Sequence, residues 1–101
     1  MAHHSLDYYV GLAKEGTSTS VDSMMKHLNK SVTIGESKLI DYALGLLTTQ
    51  AGFDRMEHYL FHGTQMQRNY CALYFARRGE YLLLRKAYDA GLIDAIQAFS
   101  R

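Results

Sequence analysis

Asp54, His58 and His62 follow one another at intervals of four residues. On a helix that spacing aligns a carboxylate and two imidazoles along one face. His-x3-His is a chelating arrangement for Zn2+ or another divalent ion. Glu57 adjoins the pair, but the order is not His-Glu-x-x-His, and no third strong ligand stands nearby. Cys71 is the best remote donor, yet it lies in the most apolar stretch of the chain. A solvent-exposed polar face accounts for the same pattern, so the expectation is no bound metal and no cofactor.

A second constellation mixes bases with aromatics. Arg68, Arg77, Arg78, Arg85 and Lys86 are interleaved with Tyr70, Tyr74, Tyr81 and Tyr88. Guanidinium and ammonium groups neutralise phosphates, and tyrosines stack on unpaired bases, so the pattern could hold nucleic acid. The opposing account is structural: the tyrosines fall on faces that must be buried, and positive charge is favourable near helix C-termini. Catalysis finds no anchor, because the chain has no Gly-x-Ser-x-Gly elbow and no phosphate-cradling glycine loop. Cys71 reads as a small buried hydrophobe.

The third signal is a wealth of sticky side chains: eight Tyr, four Phe and five Met in 101 residues. Tyr and Met are enriched where proteins meet. Tyr8 and Tyr9, Met24 and Met25, and Tyr59 with Phe61 set apolar groups at or next to adjacent positions. Adjacent residues point about 100° apart on a helix, so one narrow seam cannot bury both. Either a second layer of the fold or a partner protein covers them.

Helices must position all of these groups. Leu6, Tyr9, Val10 and Ala13 form one helical stripe; Val21, Met24, Met25 and Leu28 form a second, with Ser20 or Thr19 ahead of it as N-cap. A third stripe, Leu39, Ile40, Ala43 and Leu47, opens at Glu36 and Ser37. Phe53, Met56, Leu60 and Phe61 make a fourth, either separate or continuing the third across Gly52. The 64–78 segment carries Cys71 to Ala76, apolar around most of a helix and so suited to the middle of a bundle. Glu80 to Ala90 sets Tyr81, Leu84 and Tyr88 on one face, and a tail carries Leu92, Ile93, Ile96 and Phe99. No alternating run argues for a strand.

Proline is absent, so glycine does the punctuating. Gly16, Gly35, Gly52, Gly63, Gly79 and Gly91 separate stretches of helical length. Gly35-Glu36-x-x-Leu39-Ile40-x-x-Ala43 is echoed by Gly79-Glu80-x-x-Leu83-Leu84-x-x-Ala87, an offset within the range of two-helix repeats. Residues 72–91, Ala-Leu-Tyr-Phe-Ala-Arg-Arg-Gly-Glu-Tyr-Leu-Leu-Leu-Arg-Lys-Ala-Tyr-Asp-Ala-Gly, resemble the two-helix part of an ankyrin repeat. The likeness lies in the inter-helix glycine, the leucine run after it and the closing glycine. The Thr-Pro-Leu-His opening of that family is missing. The resemblance implies a protein-binding helical scaffold.

The length suits one domain, 1–101, with Met1–His4 (Met-Ala-His-His) reading as a purification-tag remnant. Net charge is +1, which gives no bulk case for nucleic acid or membrane. Its distribution is uneven: residues 1–63 hold five Lys/Arg against seven Asp/Glu, and residues 64–101 hold six against three. A single cysteine excludes an intrachain disulfide, and with no signal-like or membrane-length apolar run the expected location is the cytoplasm. The expected fold is all-α, a bundle of about five to six short helices that could form two helix-turn-helix units. The expected role is non-enzymatic: binding another protein, a homodimer included. A nucleic-acid-associated factor using the basic C-terminal half is the alternative.

Overall fold

Short hydroxyl side chains start the helices. In the computed structural model, which describes residues 4–99, Ser5, Thr17, Thr33 and Thr64 each turn the chain with extended backbone and accept a hydrogen bond from an amide three residues on. Each thereby satisfies one of the amides a first helical turn leaves unpaired. The helices are α1 (Leu6–Glu15), α2 (Ser18–Met25), α3 (Ile34–Leu44), α4 (Gln50–His62), α5 (Gln65–Arg77), α6 (Tyr81–Asp89) and α7 (Ala95–Phe99). The fold is all-α, with seven helices among the described residues. The extra helix beyond the expected five to six is α7, where Asp94 and Gln97 cap each other reciprocally at 2.8 and 2.9 Å.

The chain gathers into two compact units, residues 1–56 and 57–101, and the boundary falls within α4. In the first unit α1 packs on α2 and α3. Tyr9, Ala13, Val21, Met24, Met25, Leu28, Ile40, Ala43, Leu44 and Leu47 are buried. The Thr49 hydroxyl ties two elements, donating to the Gly16 carbonyl at the end of α1 and accepting from the Gly52 amide at the start of α4. Arg55 on α4 forms a two-toothed contact with the Asp22 carboxylate of α2, at 2.7 and 3.2 Å.

In the second unit α5 packs on α6 and α7, and α6 on α7. Leu60, Cys71, Ala72, Tyr74, Phe75, Leu84, Ala87, Ile93 and Ala98 are buried. Gly79 ends α5 at φ 72°, its amide bonding to Ala76 O while the Glu80 amide reaches Phe75 O. Gly91 ends α6 with the same pair of bonds, to Tyr88 O and from Leu92 to Ala87 O. Both are Schellman stops. The 72–91 segment is therefore a helical hairpin with a clean end, as its glycines indicate.

Several expectations are corrected. α2 is capped by Thr17, not Ser20 or Thr19, because Gly16 ends α1 in a left-handed turn and leaves Thr17 as the first extended residue. Gly35 and Gly52 lie inside the first turns of α3 and α4 instead of between helices. Of the two alternatives left open for the fourth stripe, the separate helix is the one found, since α3 ends at Leu44 and α4 begins at Gln50. The proposed 44-residue echo is half structural. Ile40, Ala43, Leu84 and Ala87 are all buried, but Gly35 opens a helix where Gly79 closes one.

Candidate functional site

The basic cluster is largely committed to the fold. Arg68 donates Nε–H to Leu92 O at 2.9 Å and an Nη1 proton to Gly63 O at 2.8 Å, pinning two loops of the second unit. The Arg78 guanidinium lies 3.8 Å over the Tyr74 ring. Arg85 pairs with Asp89 one turn along α6 at 3.1 Å, and Arg77 and Lys86 are exposed. Tyr74 is buried, and burial raises its phenol pKa above the ordinary range against the opposing pull of Arg78. Tyr88 stands edge-on to Phe99 with centroids 5.0 Å apart. Of the four tyrosines meant to stack on bases, Tyr70 is half-buried and only Tyr81 and Tyr88 are substantially exposed.

The metal constellation has two adjacent members and a diverted third. The His58 and His62 rings lie 5.1 Å apart, both exposed. Asp54 Oδ1 accepts a 2.8 Å bond from the Gln50 amide. Among the described residues no group of three or more His, Cys, Asp or Glu side chains could hold a metal ion. Cys71 is buried, and burial pushes its thiol pKa up, away from the nucleophilic thiolate.

The residues singled out for protein contact separate into two sets. Tyr9, Met24 and Met25 are wholly enclosed, so a second layer of the fold covers them. That corrects their assignment to a binding face. Tyr8 is exposed, while Tyr59 and Phe61 are half-buried.

The apolar surface left uncovered lies elsewhere. α5 was expected to sit enclosed, yet Leu73 is 45% exposed and Ile96 on α7 is 76% exposed. With Ala72, Ala76, Asn69 and Gln97 they line a groove of about 360 Å³ between α5 and α7. Two of its lining residues are joined by a Gln97 side-chain amide donating to Asn69 Oδ1, and Gln97 also belongs to the α7 capping pair. The groove is chiefly hydrophobic, with the side-chain amides of Asn69 and Gln97 in its lining. The sequence signal was the tail stripe of Leu92, Ile93, Ile96 and Phe99, but those four do not share a face: Ile93 is buried and Ile96 is not.

A second site passed unnoticed in the sequence. His27, in the turn after α2, faces Tyr9 edge-on with ring centroids 6.0 Å apart, and its Nε2 is buried with no hydrogen-bond partner. Beside it the Tyr9 hydroxyl donates to Glu36 Oε2 at 2.5 Å. Burial, then the Glu36 carboxylate, raise the Tyr9 pKa well above the ordinary phenol range. His4 completes the group: its amide also donates to Glu36, and its ring stacks on Tyr8 with centroids 4.0 Å apart. No sequence pattern joins residues 4, 9, 27 and 36, because the turn at Asn29 to Val32 decides that they meet.

Comparison with known protein families, with curated proteins and with solved structures finds no match to this chain.

Proposed function

We propose that the protein is a non-enzymatic helical interaction module that binds another protein through the groove between α5 and α7. The observation that carries this reading is the exposed apolar lining of that groove: Leu73 and Ile96, flanked by small alanines, on two helices fixed by caps and side-chain bonds. Contiguous exposed apolar surface framed by polar groups marks contact sites. The fixed framework lowers the ordering cost of binding. The ankyrin-like resemblance of residues 72–91, with the protein-binding role it implies, points the same way. The reading places the protein in the cytoplasm, where a lone buried thiol suits a reducing medium. No helix among the described residues is long and apolar enough to cross a membrane.

Nucleic acid is the weaker reading, because Arg68, Arg78 and Arg85 already bond within the second unit. Retention on mixed-sequence RNA and DNA across a salt series separates the two. The proposal expects weak retention with little salt dependence. Strong retention that falls steeply with salt and disappears in Arg77→Ala with Arg78→Ala would replace it.

A further inference from the structure

In the first unit one ring nitrogen of a half-buried imidazole is enclosed where its charged form finds no ready acceptor. His27 Nε2 is buried and unpartnered, the Tyr9 ring stands edge-on to it, and the carboxylate whose charge reaches it, Glu36, already accepts from Tyr9 and from the His4 amide. A buried polar atom without a partner costs free energy, and a buried charge costs more. We propose that His27 is an acid-sensitive latch: its protonation loosens the packing of α1 against α3 in the 1–56 unit.

The groups that face it set the sign. From α1 comes Tyr9, from α3 Glu36, from the segment before α1 His4, and Lys26 adjoins it in sequence. The His4 ring lies 4.9 Å from that of His27, so two imidazolium charges would repel. Burial first, then His4 and Lys26, lower the His27 pKa from 6.5, and Glu36 opposes them. A group whose pKa is lower in the folded chain binds its proton more tightly when unfolded. The stability it contributes is complete above about pH 6.5 and is withdrawn as pH falls toward the lowered value. When the proton binds, the imidazolium recruits Glu36 away from the Tyr9 hydroxyl or moves out to water. The first move breaks the α1–α3 bond, and the second withdraws the ring that packs against Tyr9. α1 responds as a unit because its buried face carries Tyr9 itself.

The test uses the intact chain. The His27 ring is titrated by NMR beside the exposed His58 and His62. Hydrogen exchange of the α1 amides is measured at about pH 7.5 and 5.5, corrected for intrinsic rates, in the unsubstituted chain and in His27→Phe. The expected result is a His27 midpoint below the ordinary imidazole value of 6.5. α1 protection should fall on acidification, and the fall should vanish in His27→Phe. His4→Ala should raise the midpoint only in part, since burial is the larger cause. A His27 midpoint at or above 6.5 overturns the latch, whether or not His27→Phe folds. So does an α1 response to pH that is unchanged in that variant.

Discussion

Replacing glycine by alanine should change sign along this chain, and the structure says where. Gly79 has φ 72°, and an added Cβ would meet nothing closer than Tyr81 Cε2 at 3.9 Å. Gly79→Ala therefore has conformational strain alone to bear, about 1–2 kcal/mol for an L residue held in the left-handed region. Gly16 shares that backbone, at φ 63°, but its Cβ would lie 2.5 Å from Thr49 Cγ2 and 2.6 Å from Thr49 Oγ1. Thr49 must then move, and its hydroxyl holds both Gly16 O and the Gly52 amide. Two weakened bonds at about 0.5–1.5 kcal/mol each bring the expected cost of Gly16→Ala to roughly 2–5 kcal/mol. Gly11 lies inside α1 with open space around it. Gly11→Ala should stabilise by up to about 1 kcal/mol, since alanine is the better helix former. Chemical denaturation of the three variants, read as shifts in midpoint at constant slope, checks the series. A stabilised Gly79→Ala would refute the reasoning, for it would mean that α5 runs on without the stop.

Two further expectations concern the second unit. Leu84→Ala should lose about 2–5 kcal/mol because Leu84 is fully buried, whereas Leu82→Ala, 84% exposed, should shift stability by less than about 0.5 kcal/mol; thermal melts of the pair read the difference. Arg68→Met should cost about 2–4 kcal/mol by leaving Leu92 O and Gly63 O without their donor, measured by denaturation; unchanged stability would mean that its guanidinium is not a structural staple.

The helical class and the hairpin were legible because local chemistry decides them. Gly79 and Gly91 end helices by a backbone conformation that glycine accepts most readily, and the pairs Ile40 with Ala43 and Leu84 with Ala87 are buried as their spacing indicates. The α2 cap was misplaced because residues 17–20 all carry cap-competent hydroxyls, and the choice among them depends on where α1 stops. The site was less legible for a different reason. Tyr9 and Met24 announce stickiness in the sequence, yet whether a sticky residue faces a partner or a neighbouring helix depends on packing between distant segments. Arg68 looks like a phosphate ligand until Leu92, 24 residues away, supplies its acceptor. Ile96 looks like core until Ile93, before α7, and Ala98, on α7, take the inward positions in its place.

The claim that the α5/α7 groove binds a protein is tested most directly by the affinity of a partner captured from the native host. That affinity is compared by calorimetry for the unsubstituted chain, Ile96→Glu and Leu82→Glu. Ile96 lies in the first turn of α7 and is 76% exposed, so glutamate there should leave the fold intact. The account predicts at least about a tenfold loss of affinity for Ile96→Glu, near 1.4 kcal/mol, with Leu82→Glu unchanged. Equal binding by all three chains would contradict it.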